Sequence, residues 1–319
     1  MTHDIGDQAR AGLPNLLVIG APKSGTTTLY RVLSDHPDIY MTRVKEPTFF
    51  CSARHYAKGL DWYVSEFFGA ATDAAFRGEA TPWYLYSAAA ARRVAADLTR
   101  PSLRLVAVLR DPVSRAYSMY WDQVATGQET RSFQEAVAAD TVDPGTVSLW
   151  SEIPTDELRR AYLTAGRYTD FLRHWMDAFG RQRLLILVQE ELINHPRREL
   201  AQLWRFLDVA PRDLTELPRD NTASQPVSRT LERGLRLMER IPPGVRRAVG
   251  RTVGEERTRR LAAGLVRANR RPSEYPPLDP ILAGALQERL EPHTAQLERL
   301  LGRPLDVWRR GQCRPEHAR

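Results

Sequence analysis

A chain of 319 residues can bury a full core, and an α/β fold of this size is commonly one domain. The apolar fraction is an ordinary 42%, no apolar run approaches a membrane-spanning length, and the net charge of +7 fits an anionic ligand as well as nucleic acid. Two cysteines, Cys51 and Cys313, exclude a disulfide framework, and no Cys/His cluster has metal-ligand spacing.

Residues 1–14 are a polar tail without an apolar signal core, so the expectation is a cytoplasmic protein. Residues 15–20 read as a buried strand and 26–35 as the helix after it. Phe76 to Ala80 is a short strand and Ala88 to Leu98 a helix. Leu103 to Leu109 is a second clear strand, followed at Asp111-Pro112 by a helix start, because Asp caps and Pro favours the first turn. Leu184 to Val188 is a further strand. Pro196 to Leu207 is an amphipathic helix with Leu200, Leu203, Trp204 and Leu207 on one face. Strands alternating with helices predict an α/β fold of three layers, its central sheet mainly parallel and flanked by helices. From Thr230 the chain is helical in composition and rich in arginine, with nine arginines between 241 and 271 and no interleaved aromatic. A solvated helical face is the expected role there, and no nucleic-acid partner is expected. The domain is expected to span 15–308, with a helical C-terminal portion over 230–300 and a tail at 309–319.

Only three of the 46 basic residues are lysine, namely Lys23, Lys45 and Lys58. In so arginine-biased a chain, a retained lysine points to a need for lysine. Lys23 lies in Gly20-Ala21-Pro22-Lys23-Ser24-Gly25-Thr26-Thr27-Thr28, between the first strand and the first helix. Such a loop offers backbone N–H groups and the positive end of a helix to an anion, and an ammonium is a compact charge for a phosphate oxygen. Gly20 and Gly25 have the separation of the nucleoside-triphosphate loop G-x-x-x-x-G-K-S/T, but Thr26 stands where its lysine should be. The displaced lysine points to a different anhydride. It also disfavours a small-molecule kinase, which is the alternative enzyme reading; a non-catalytic nucleotide- or nucleic-acid-binding protein is the alternative outside enzymes. The second element is Arg110-Asp111-Pro112 through Ser118. A guanidinium at a strand end and a hydroxyl nearly two helical turns on can hold one phosphate from two sides.

Together these motifs resemble the sulfotransferases that use 3′-phosphoadenosine 5′-phosphosulfate (PAPS). Pro22-Lys23-Ser24-Gly25-Thr26-Thr27 is similar to their 5′-phosphosulfate loop, and Arg110-Asp111-Pro112 through Ser118 to their 3′-phosphate motif. His36-Pro37-Asp38, Lys45-Glu46-Pro47-Thr48-Phe49-Phe50, Gly78-Glu79-Ala80-Thr81-Pro82 and Leu301-Gly302-Arg303-Pro304-Leu305-Asp306-Val307-Trp308 place the resemblance nearest the heparan sulfate N- and 3-O-sulfotransferases and their bacterial relatives. The resemblance implies a P-loop-like domain and in-line sulfuryl transfer that requires no metal. It makes Lys23 the cation at the leaving phosphate and Glu46 the general base. It gives Ser24, Gly25, Thr26, Thr27 and Thr28 to the 5′ end of the nucleotide and Arg110 and Ser118 to the 3′-phosphate. Arg229, in a segment that returns to the nucleotide in that family, is a further 3′-phosphate contact.

The sequence departs from the heparan sulfate enzymes where their Glu-x-His-Phe-Phe-Asp reads Glu46 to Cys51 and their Glu-Lys-Thr-Pro reads Glu79-Ala80-Thr81-Pro82. The acceptor expected is therefore a small hydroxylated molecule, such as a secondary metabolite or glycolipid headgroup. Lys45 is a candidate substitute for the lysine absent at Ala80, although neighbours on an extended segment point opposite ways. His36 reads as a helix-end residue, with a histidine base as its alternative role, and His55 as an exposed one. Lys58 reads as lining the acceptor cleft or as solvated. Trp83, Tyr84, Tyr86 and Trp121 read as packing, with an acceptor pocket as the alternative.

Overall fold

A computed structural model describes residues 12–69, 74–150, 152–214, 216–218, 224–226, 270–272 and 275–309. Five strands form one sheet: β1 (Leu16–Gly20), β2 (Ile39–Met41), β3 (Phe76–Ala80), β4 (Arg104–Leu109) and β5 (Leu184–Val188). Their order is β2-β3-β1-β4-β5, and every pair is parallel. β1 is central and wholly apolar up to Gly20, as a strand covered on both faces must be.

The helices that bear on the site are α1 (Thr26–Ser34), α2 (Leu60–Phe68), α3 (Ala88–Asp97), α4 (Pro112–Ala125), α5 (Tyr168–Phe179), α6 (Gln189–Asn194), α7 (Pro196–Leu207), α8 (Pro280–Leu301) and α9 (Asp306–Arg309). Alternate strand residues feed two cores, because successive side chains of a strand point to opposite faces. Leu17, Ile19, Leu105, Ala107 and Leu109 pack with residues of α2, α3, α4, α5 and α8. Leu16, Val18, Val106 and Val108 pack with Leu29, Val32 and Leu33 of α1 and with Leu200, Leu203, Trp204 and Leu207 of α7. The three-layer expectation holds. β2 was not foreseen, since its three residues are too few to show a period, and neither was α2. Among the described residues no helix is long and apolar enough to cross a membrane.

The sheet order creates a cleft at one point. From β1 the chain runs through α1 on one face toward β2, and from β4 it runs through α4 on the other face toward β5. The loops leaving the carboxyl ends of these adjacent strands diverge, and ligands of open α/β sheets bind in the crevice so formed. A two-stranded antiparallel pair, β6 (Ser224–Pro226) with β7 (Arg270–Pro272), completes the described structure. Arg229, and residues 241–269 of the arginine-rich stretch, lie outside the described residues.

Candidate active site

The loop after β1 turns on two left-handed residues, Lys23 at φ 68° and Gly25 at φ 88°. The Ser24 amide donates to Ala21 O at 3.3 Å, closing the turn. Gly20 has no room for a side chain, since an added Cβ would lie 2.6 Å from Leu85 Cβ. Gly25 caps α1 without any side-chain hydrogen bond, so the first-turn N–H groups at Thr26 and beyond have no side-chain cap. The Ser24 hydroxyl is fully buried and makes no hydrogen bond among the described residues. A buried hydroxyl without a partner is costly unless a ligand completes it.

Beyond β4, Asp111 caps α4 by accepting from the Ser114 amide at 2.7 Å, with Pro112 in the first turn. The junction is braced on both sides. Tyr168 Oη donates to Arg110 O at 2.7 Å, and the Asp111 amide donates to Glu190 Oε1 at 2.9 Å. The other Glu190 oxygen accepts from the Trp308 indole at 2.9 Å, which ties α9 to this motif. Burial pushes both carboxyls, Asp111 and Glu190, above the ordinary range, while the Arg110 charge works against the rise in each.

The two loops meet through their cations. Arg110 Nη1 donates to Lys23 O at 3.3 Å, and Lys23 Nζ lies 3.1 Å from Asp122 Oδ1. Asp122 is four residues beyond Ser118 on α4, so both share one helix face and Lys23 lies over it. Lys23 and Arg110 thus meet beyond the carboxyl ends of β1 and β4, with Ser118 on the same face of α4 as Asp122, a residue that no local motif announced. Gln189, just beyond β5, was also missed; its side-chain amide lies 3.2 Å from where a Cβ on Gly25 would sit, and its oxygen is buried without a partner among the described residues.

Glu46 lies on the other flank of β1. Its amide donates to Ala80 O at 3.1 Å, at the carboxyl end of β3. Glu46 and Thr48 are both left-handed, at φ 63° and 56°. This corrects the expectation for Lys45. The segment is not extended, so the two side chains do not diverge, and Lys45 Nζ sits 2.7 Å from Glu46 Oε1. His55 is half-buried rather than exposed, with Nδ1 3.1 Å from Thr48 Oγ1 and 3.2 Å from Pro47 O. Burial, and then the Lys58 charge, hold its ring below the usual imidazole range. Lys58 is exposed, with its ammonium 3.8 Å over the Trp62 ring. His36 is buried beyond the far end of α1, bonded to Ala210 O at 2.9 Å and packed on Trp204, so it is structural. Tyr84 and Tyr86 are fully buried and Trp83 nearly so, as packing residues. Trp121 stacks on Tyr275 at 5.4 Å.

Across the cleft the order is therefore Glu46 beyond β3, Lys23 beyond β1 and Arg110 beyond β4. A sulfotransferase domain is matched by residues 13–239. The chain belongs to the sulfotransferase family. Sulfotransferases of this family generally draw on PAPS. The sulfotransferase is 32% identical over 207 residues to the bifunctional heparan sulfate N-deacetylase/N-sulfotransferase 1 of Caenorhabditis briggsae, covering 63% of this chain and 23% of that protein. It is 31% identical over 210 residues to the human bifunctional heparan sulfate N-deacetylase/N-sulfotransferase 2, covering 62% of this chain and 22% of that protein. The chain thus spans less than a quarter of the length of these curated relatives. A crystal structure of a sulfotransferase from Alicyclobacillus acidocaldarius shares the fold, with a TM-score of 0.62 at 24% identity over 93% of this chain and 99% of that one.

Proposed function

We propose that this sulfotransferase uses PAPS to sulfate a hydroxyl of a small molecule, a secondary metabolite or glycolipid headgroup, with Glu46 as general base and Lys23 at the leaving phosphate. The observation that carries the reading is the order of groups across three neighbouring strand ends: carboxylate, ammonium, guanidinium. Glu46 stands on the acceptor side, Arg110 on the nucleotide side and Lys23 between them. The unpartnered Ser24 hydroxyl and the uncapped N-terminus of α1 suit the 5′ end of such a nucleotide, with Thr26, Thr27 and Thr28 in the first turn. Arg110 and Ser118 would hold the 3′-phosphate by charge-assisted hydrogen bonds.

When bound, PAPS supplies a sulfuryl group already activated by its bond to a phosphate. The protein's tasks are then to take one proton, fix the line of attack and stabilise departing charge. The Glu46 carboxylate takes the proton of the acceptor hydroxyl. Lys45, 2.7 Å from Glu46, would serve for the lysine that the heparan sulfate enzymes carry at the position of Ala80. Lys23 Nζ, with one of its three N–H groups toward Asp122, keeps two for the phosphate. Cys51 and Ala80 are fully buried, so neither replaces the acceptor contacts of the residues lost there, which favours an acceptor other than heparan sulfate.

The test is thermal stabilisation by adenosine 3′,5′-bisphosphate against ATP with magnesium. At a hundred times its dissociation constant the bisphosphate should add about 2.7 kcal/mol. A preference for ATP with magnesium would overturn the proposed donor, as would turnover abolished by EDTA.

A further inference from the structure

Glu79 is fully buried at the end of β3, and among the described residues no lysine or arginine pairs with it. Three hydroxyls converge on it instead. Tyr63 Oη and Tyr84 Oη donate to Oε1 at 2.5 and 2.7 Å, and Thr81 Oγ1 donates to Oε2 at 2.6 Å. A hydroxyl has one proton and two lone pairs. Once its proton is committed to Glu79, its oxygen can only accept. Two of the three oxygens do so from the backbone of a single segment. Thr81 Oγ1 accepts from the Thr48 amide at 3.3 Å, and Tyr84 Oη accepts from the Phe50 amide at 3.2 Å. The third, Tyr63, holds that segment by its ring, stacked 4.2 Å from Phe49.

The segment so held is the one that carries Glu46. It contains two non-glycine residues in the left-handed region, a conformation that persists only where its surroundings determine it. The residue after Glu79 supplies the carbonyl that accepts the Glu46 amide. We infer that Glu79 is a positioning residue: by orienting the Thr81 and Tyr84 hydroxyls it fixes the backbone of residues 46–50, in which Glu46 and Thr48 are left-handed, and so the aim of the Glu46 carboxylate. The inference rests on the reading of Glu46 as base only for its effect on turnover. The backbone link stands independently of that reading.

Three substitutions that leave Glu79 in place test it. Thr81→Val and Tyr84→Phe each delete one backbone link, whereas Tyr63→Phe deletes a hydrogen bond to Glu79 but no backbone link. Residue-resolved hydrogen exchange on the full chain should show the Thr48 amide exchanging about tenfold faster in Thr81→Val, and the Phe50 amide likewise in Tyr84→Phe, the equivalent of one lost hydrogen bond. Tyr63→Phe should leave both amides within about twofold of wild type. Release of adenosine 3′,5′-bisphosphate from PAPS, with water as acceptor, should fall about tenfold in the first two variants alone, while bisphosphate affinity stays within about twofold in all three. Unchanged exchange at Thr48 and Phe50 in Thr81→Val and Tyr84→Phe overturns the inference. So does a Tyr63→Phe variant that loosens these amides as much as the others. Faster exchange with unchanged turnover supports the positioning and overturns Glu46 as the base.

Discussion

Lys23 and Asp122, 99 positions apart, form an ion pair of 3.1 Å that joins the loop after β1 to the middle of α4. The lysine proposed to meet the donor thus already has a partner, and a phosphate there would share its charge with a carboxylate. Both side chains are partly exposed, so the pair itself is worth about 0.2–1 kcal/mol. Asp122→Asn removes the competitor and a negative charge facing the nucleotide. The expected result is tighter binding of adenosine 3′,5′-bisphosphate, up to about fivefold, with the gain shrinking as salt is raised. Calorimetry at two ionic strengths measures it, and weaker binding would show that Asp122 aims Lys23 rather than competing for it.

Lys23→Arg is expected to be damaging despite keeping the charge. Guanidinium is a broad planar fork, whereas the position over α4 holds a single Nζ against one carboxylate oxygen. Turnover should fall by about 10²–10³, the usual consequence of losing one preorganised donor to developing charge. An arginine variant that melts like wild type and turns over like it removes Lys23 from the chemistry.

Glu46→Gln keeps size and hydrogen bonding but removes the base. Turnover should drop by about 10²–10⁴ while bisphosphate affinity is nearly unchanged. The companion variant His36→Ala should lose stability and keep turnover per folded molecule, because His36 packs against Trp204 rather than facing the cleft. The reverse pattern in the two variants would move the base to the histidine.

Arg110→Ala and Ser118→Ala should weaken binding of adenosine 3′,5′-bisphosphate more than binding of its 3′-dephosphorylated counterpart. A charged hydrogen bond is worth about 1.5–3 kcal/mol, so the two affinities should diverge by about one to two powers of ten. Equal losses for both nucleotides would mean that neither residue reads the 3′-phosphate.

Acid should loosen the segment just beyond α4. Glu129 is only 5% exposed, and burial alone would raise its pKa. The Arg131 guanidinium at 2.8 and 2.9 Å, with the Arg131 amide and the Tyr162 hydroxyl, outweighs burial and holds it down at about 2. A depressed carboxylate contributes stability above its unfolded value of 4.5 and loses it as pH falls toward 2. The shift corresponds to about 3 kcal/mol. Glu129→Gln should therefore be less stable than wild type in urea at neutral pH, and the gap should close as the titration approaches pH 2. A gap independent of pH would assign the contribution to packing.

Local motifs were legible in the sequence because each contains its own physical cause. Asp111 caps the helix that Pro112 opens, an interaction three residues long. The loop from Gly20 to Thr26 bends on Gly25 and ends at an uncapped helix N-terminus. β1, β4 and β5 are apolar runs that only a sheet covered on both faces can bury. Even the cleft followed, since alternating strands and helices imply a parallel sheet with its ligand at the carboxyl ends.

What the sequence by itself determined was therefore the order of the longer strands and helices, and the place of two loops at the carboxyl ends of neighbouring strands. Tertiary structure alone decided which groups touch. Glu46 and Thr48 are left-handed without being glycine, in a segment whose amides are held by Ala80 O and by the Thr81 and Tyr84 hydroxyls, and residue identity does not show it. That conformation turned Lys45 onto Glu46 instead of away from it. Asp122 beneath Lys23, and Trp308 behind Glu190, join residues 99 and 118 positions apart. Contacts at such separations depend on how whole helices pack on the sheet, and no local period or cap encodes that packing.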